Sequence, residues 1–227
     1  TVPEGWTSDM VVAQLAASDV LTGEIPGVPP EGSLLPESYN VERGATRASV
    51  LQTMADAHEK VLAELWPKRA AGLPFKTPQQ AVILASIVEK ETALPAERPH
   101  VASVFINRLR KGMRLETDPT IIYGVCHAEP KRCLGGRLVD ADGVTRGIRQ
   151  SELAMVTGYN TYRIYGLPPT PIANPGRASI EAVLNPARTN DLYFVADGTG
   201  GHVFAATLAE HNKNVAKWRQ IEKSRGG

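Results

Sequence analysis

Thr77-Pro78-Gln79-Gln80-Ala81-Val82-Ile83-Leu84-Ala85-Ser86-Ile87-Val88-Glu89-Lys90-Glu91-Thr92-Ala93-Leu94 reads as one helix with both ends marked. Thr77 can cap it, Pro78 stands at the first helical position, and Gln80 completes a capping box. The helix is expected to run to about Leu94, where Pro95 follows. Helical residues advance ~100° each, so Leu84, Ile87, Val88 and Glu91 share one narrow face. Glu89 points about 160° away from Glu91. A carboxyl on an apolar stripe loses hydration when ionised, so its pKa rises. Held partly neutral near pH 6 or 7, it can act as a general acid. The competing reading is a Glu paired with an Arg in the core or standing at the rim of the stripe. Glu89 beside Lys90 reads as a solvated pair.

Helices also dominate on either side. Thr7 caps a first helix ending near Ser18, with Val11, Val12, Leu15 and Ala16 as its apolar residues. Residues 22–36 are rich in Gly and Pro and read as an irregular connector, with a short extended piece over 34–39. Thr46 caps a longer helix to about Leu65, striped by Val50, Met54, Ala57, Val61 and Leu65. Pro99 opens a helix that Gly112 ends. Asp118-Pro119 opens a short one carrying Ile121, Ile122 and Tyr123. Residues 126–150 read as an exposed, charged excursion with a small hairpin. Short helices are expected from Ser151 and over 177–184. Residues 192–196 and 202–205 pair as a hairpin across Gly198-Thr199-Gly200-Gly201. Thr207 and Glu210 form a capping box for the last helix, to about Lys223. There are no internal repeats and no βαβ rhythm. The fold class is α+β: a helix-dominated domain with a small antiparallel hairpin or sheet.

The chain has 227 residues, 42% hydrophobic and 22% charged, within the globular norm. Twenty-five Lys and Arg against 24 Asp and Glu leave a net charge of +1. That argues against nucleic acid as a partner, because such binding works by neutralising phosphates. No apolar run approaches the ~18 residues that span a bilayer. Cys126 and Cys133, with six residues between them, suit a small disulfide in an oxidising compartment. Free thiols are the alternative. A metal site is the weakest option, since His127 brings the candidate ligands to three where structural zinc takes four.

The helix from Pro99 is apolar almost all round, so Asn107 and Arg108 must find polar partners. Asn107 can bind substrate or brace the fold, and bracing is favoured for Arg108. Tyr159-Asn160-Thr161-Tyr162, Gly166-Leu167-Pro168-Pro169 and Asn174-Pro175-Gly176 make a stiff loop. Its amides, hydroxyls and aromatic faces suit sugar rings, and a packed connector is the other reading. His202 and His211 read as structural or surface residues. No P-loop, zincin motif, dinucleotide fingerprint or nucleophile elbow occurs.

Taken together these motifs resemble the YceG-like family. The residues that carry the resemblance are Ala85-Ser86-Ile87-Val88-Glu89-Lys90-Glu91-Thr92, Val101 to Leu109, and Met113-Arg114-Leu115-Glu116-Thr117-Asp118-Pro119-Thr120. With them stand the loop motifs above, Tyr193-Phe194-Val195-Ala196-Asp197, Gly201-His202-Val203-Phe204 and His211-Asn212. The chain departs from the pattern at Thr170, where many relatives have Gly, and at Glu116, where many have Gln.

The resemblance implies an endolytic murein transglycosylase that cuts nascent peptidoglycan between MurNAc and GlcNAc and leaves 1,6-anhydro ends. It implies Glu91 as the catalytic acid. It places Asn107, Glu116, Asp118, Tyr123, Asn160, Thr161, Tyr162, His202 and Asn212 at the substrate. It implies no metal and no cofactor. Expected partners are glycan strands and the peptidoglycan synthases (penicillin-binding proteins). The expected location is the bacterial inner membrane, held by a single-pass anchor, with the catalytic domain in the periplasm. There Cys126 and Cys133 would be bridged. Residues 1–45 resemble the stretch that follows a LysM-like module, and 46–227 the catalytic domain. The anchor and most or all of that module are expected to lie outside this soluble sequence. Two other readings compete: a water-using muramidase with Glu116 or Asp118 as second carboxylate, and a non-catalytic glycan-binding scaffold.

Overall fold

In the computed structural model, which describes residues 1–226, Thr7 and Thr46 cap α1 (Ser8–Ala17) and α2 (Arg47–Leu65) with their hydroxyls. The capping box of Thr77 and Gln80 is complete at the start of α3 (Pro78–Glu91). That helix ends three residues before Leu94, because Thr92 takes an extended conformation at its C-cap. A β-branched residue tolerates that geometry better than the helix. Helices α4 (Arg98–Arg110) and α5 (Asp118–Ala128) follow. Helix α5 takes in Cys126 and so extends into the region expected to be irregular.

Strands β1 (Cys133–Leu134) and β2 (Arg137–Leu138) form a two-residue antiparallel ladder inside the excursion. Helices α6 (Gln150–Ala154) and α7 (Arg177–Leu184) precede β3 (Tyr193–Ala196) and β4 (His202–Ala205), which pair antiparallel with Phe194 opposite Phe204. The last helix is α8 (Leu208–Arg225), where Thr207 accepts from the Glu210 N–H but the reciprocal half of the expected box is missing. Gly227, the end of the expected 46–227 domain, lies outside the described residues. The fold is helix-dominated α+β with two small antiparallel sheets.

The main core sits where α3 packs against α4 and α7, around Leu84, Ile87, Val88, Phe105, Ile106 and Ile180. A helix apolar on both sides has to be buried on both, and α3 meets that demand by lying between its neighbours. A second cluster joins residues 1–45 to α2 through Val11, Leu15, Leu34 and Met54. A third, around Ile121, Val125 and Leu138, anchors the excursion to α5.

Buried Asn174 ties the N-terminal segment to the core. Its amide donates to Trp6 O at 3.1 Å and Ser8 Oγ at 3.2 Å, and its Oδ1 accepts from the Leu34 N–H at 3.0 Å. Gly32 makes the close approach possible: at φ +79 its hypothetical Cβ would lie 2.5 Å from Pro171 Cγ.

The excursion is pinned rather than loose. Glu152 is fully buried and takes Arg146 at 2.8 Å, the Arg149 N–H at 2.7 Å, and Arg132 as well. The Arg146 hydrogen bond, first among these, holds its carboxyl down at about 2.

Candidate active site

Helix α3 delivers Glu91 at its last position, half-buried in the lining of a groove of about 580 Å³. The start of α5 supplies Asp118, the segment before it Leu115 and Glu116, and α4 supplies Phe105 and Arg108. Tyr162, Tyr193 and Phe194 add aromatic faces, and α8 closes the groove with Leu208, His211 and Asn212.

Burial pushes the Glu91 carboxyl up to about 7, and the negative charge of Asp118 acts in the same direction. A hydrogen bond from the Thr117 hydroxyl and the nearby His202 oppose the rise. The Thr117 hydroxyl donates to Glu91 Oε1, and no cation pairs with this carboxylate among the described residues. The ion-pair reading of Glu91 therefore fails. The ion pair belongs to Glu89 instead, which corrects its reading as a solvated residue. Glu89 is 4% exposed and meets Arg98 at 3.1 Å. It also accepts from the Gly176 N–H at 3.0 Å and Ser179 Oγ at 2.7 Å. The spacing that separates the two carboxylates by about half a turn aims Glu89 at α4 and α7 and Glu91 at the groove.

Thr117 is itself held. Its N–H donates to Thr161 Oγ1 at 2.9 Å, and Thr161 shares a hydrogen bond of 2.8 Å with Thr120 Oγ1. All three threonines are buried, so the hydroxyl on Glu91 has a fixed origin. Tyr162 donates to Asp118 Oδ1 at 2.8 Å, orienting that carboxylate from across the groove. Glu116 stands at φ +52 with an Arg108 nitrogen 3.6 Å away. Such a conformation in a bulky side chain costs energy and is found disproportionately at functional positions.

Of the residues singled out in the sequence, Glu91, Glu116, Asp118, Tyr162 and Asn212 line this groove. Thr161 and Asn160 stand behind it, fully buried. The Asn160 amide donates to the carbonyls of Leu153 and Met155 and shapes the loop. Asn107 braces the fold, donating to Thr189 O at 2.9 Å and Asp191 O at 3.0 Å. His202 sits beside the groove with its Nδ1 2.8 Å from Glu97 and its ring edge-on to Phe194. Tyr123 faces a different cleft, stacked on His127. Arg108 braces as expected, donating to Leu192 O at 2.7 Å, yet it also lines the groove. Sequence reasoning assigns no role to Thr117 or Tyr193. Thr117 lay within a quoted motif, but only the fold shows that its hydroxyl meets Glu91. His211, read as bland, stacks on Tyr193 at 5.0 Å, and burial lowers its pKa.

Cys126 and Cys133 are joined by a disulfide with Cα atoms 5.5 Å apart. Among the described residues no helix is long and apolar enough to cross a membrane.

The sequence signature of the YceG-like family matches residues 1–217. An endolytic murein transglycosylase of Bacillus subtilis is 42% identical over 135 residues, covering 60% of this chain and 33% of that protein. One from Streptococcus pneumoniae is 33% identical over 189 residues, covering 82% of this chain and 32% of its own length. The chain thus spans about a third of the length of the curated relatives it matches. A crystal structure of a yceG-like protein from Listeria monocytogenes superposes with a TM-score of 0.69 at 31% identity, over 93% of this chain and 74% of the other.

Proposed function

Because the chain belongs to the YceG-like family, we propose that it is the catalytic part of an endolytic lytic transglycosylase acting on peptidoglycan glycan strands. The observation that carries the reading is a single carboxyl, poised near neutrality at about 7 with only a hydroxyl on it, in an aromatic-lined groove. A general acid works best when its pKa lies near the working pH.

Protonated Glu91 gives its proton to the oxygen between MurNAc and GlcNAc, and the bond from that oxygen to C1 breaks. The resulting carboxylate takes the proton of the MurNAc C6 hydroxyl as that oxygen bonds to C1. The products are a 1,6-anhydro end and a free GlcNAc hydroxyl, and no water is consumed. Asp118 and Tyr162, joined by their hydrogen bond, and Asn212 orient the sugar. The aromatic faces of Tyr193 and Phe194 receive the flat side of a ring. Thr161, Asn160 and Asn107 support these groups from behind, and His202 does so from the side.

The same reading places the domain on the periplasmic side of the bacterial inner membrane, tethered by an N-terminal anchor and working beside the synthases. The Cys126–Cys133 bridge suits that oxidising compartment.

A hydrolytic reading has one observation in its favour: Glu116 and Asp118 line the same groove, and the charge of Asp118 reaches Glu91. A second carboxylate is what a water-using glycosidase needs. Mass spectrometry of products from purified glycan strands decides. Anhydro ends, absent with Glu91→Gln, are expected. Products one water heavier select hydrolysis, and glycan binding with no cleavage selects a scaffold.

A further inference from the structure

A second hollow of about 410 Å³ adjoins the Glu91 groove. The two share a wall. Lys90 and Pro119 face the second hollow, while their sequence neighbours Glu91 and Asp118 face the groove. The floor of the second hollow is apolar, with Met10, Ile122, Ile172 and the Cys126–Cys133 bridge.

Its charges are arranged unusually. Lys90 and Arg137 both line it, and neither forms an ion pair among the described residues. Lys90 Nζ donates to the Gly5 carbonyl at 3.3 Å, and the Arg137 guanidinium has no hydrogen-bond partner of its own among those residues. Burial lowers the Lys90 pKa, the charge of Arg137 lowers it further, and the charge of Glu89 opposes them. Two cations lining one hollow, neither of them in an ion pair, favour an anionic ligand. Negative charge stands elsewhere in the same hollow, on Asp9 and on Glu31, which accepts from the Ser8 N–H at 2.8 Å and the Tyr123 hydroxyl at 3.1 Å.

We propose that this hollow binds the peptide pendant on the murein sugar, with a peptide carboxylate between Lys90 and Arg137 and an amine toward Asp9 and Glu31. The proposal rests on the murein reading above and adds a specificity to it. A peptide that carries both carboxylates and an amine matches both kinds of charge, and its aliphatic portions match the floor. A four-residue peptide extends roughly 13 Å, and Lys90 and Pro119 of the hollow are chain neighbours of Glu91 and Asp118 of the groove. The enzyme then favours strands that still carry their peptides.

The test uses glycan strands of one length distribution, with peptides intact or removed by an amidase, offered to the wild type and to Arg137→Glu. Arg137 is exposed, so the fold tolerates the change. The wild type is expected to favour peptide-bearing strands by about tenfold in kcat/KM, the size of one charge-assisted contact, and Arg137→Glu to bring the ratio near one. A ratio is insensitive to partial unfolding, which lowers both rates together. Binding of the same two strands to Glu91→Gln and to Glu91→Gln/Arg137→Glu gives a second ratio that needs no chemistry. Equal use of both strands by the wild type, or a preference unmoved by Arg137→Glu, overturns the peptide site and leaves the transglycosylase reading standing. Cleavage of neither strand overturns that reading instead, and the binding ratio then decides for or against the hollow.

Discussion

Glu91 couples stability and activity to one proton. Its carboxyl is pushed from an ordinary 4.5 to about 7 in the folded chain, first by burial. The neutral form suits this place, so its contribution to stability is present below about pH 4.5 and is lost as pH rises through about 7. At pH 8 the ionised carboxylate is a liability of about 3 kcal/mol. Gln keeps an acceptor for the Thr117 hydroxyl and carries no charge. Glu91→Gln should therefore melt close to wild type at pH 4.5 and about 6–12 °C higher at pH 8, with cleavage abolished. Calorimetry across that pH range checks it, and a variant that melts lower at pH 8 would make Glu91 a structural partner. In the wild type, kcat/KM should fall about tenfold per pH unit above 7. A rate flat from pH 6 to 9 would remove Glu91 from the proton transfer.

At the scale of elements, α3 carries two carboxylates with opposite duties. Glu89 locks it to α4 through Arg98 and to the start of α7 through Gly176 and Ser179. Removing one partner of a buried pair leaves the other charge short of compensation. Glu4 also meets Arg98 at 3.0 Å but is 43% exposed and covers only part of that loss. Glu89→Gln should cost about 3 kcal/mol, seen as a lower midpoint in urea. At a temperature where the variant is still folded it should go on cleaving glycan, and a dead but folded Glu89→Gln would give Glu89 a chemical role. The disulfide acts on a different element. It closes a loop of sequence separation 7 between α5 and β1, worth about 2 kcal/mol by chain entropy. Cys133→Ser should lose that much, with faster amide exchange over residues 129–149 and unchanged protection in α3 and α4. Uniform loss of protection would mean that the excursion and the core unfold as one unit.

Across the whole molecule, residues 1–45 and the main core are held together at Asn174, whose side chain reaches Trp6, Ser8 and Leu34. Asn174→Ala leaves the buried Leu34 N–H without a partner, at about 1–3 kcal/mol, while Trp6 O keeps the Asn174 N–H at 2.8 Å. The expected result is proteolytic cutting within residues 18–45 under conditions where the wild type resists, while the fragment from α2 onward survives. An uncut variant would show that the apolar contacts of Val11, Leu15 and Leu34 with α2 suffice without this tie.

What could be read from sequence was what depends on near neighbours. Caps at Thr7, Thr46 and Thr77, the apolar faces of α2 and α3, and the hairpin around Gly198 to Gly201 are set by local sterics and by periods of 3.6 and 2. The same periodicity separated Glu91 from Glu89, and a run of ordered motifs carried the family. Partners distant in the chain decided the rest. Glu89 looked solvated beside Lys90 because Arg98, Gly176 and Ser179 reach it only when α3, α4 and α7 meet. Thr161 and Asn160 looked like sugar ligands because polarity reads the same whether a group faces a groove or a buried hydroxyl network. Tyr123 left the Glu91 groove for the neighbouring hollow because the side of α5 that it occupies is set by how α5 docks on α3. Local pattern states which residues must be buried or capped; only packing states what stands opposite them, and the charge of a carboxyl depends on what stands opposite.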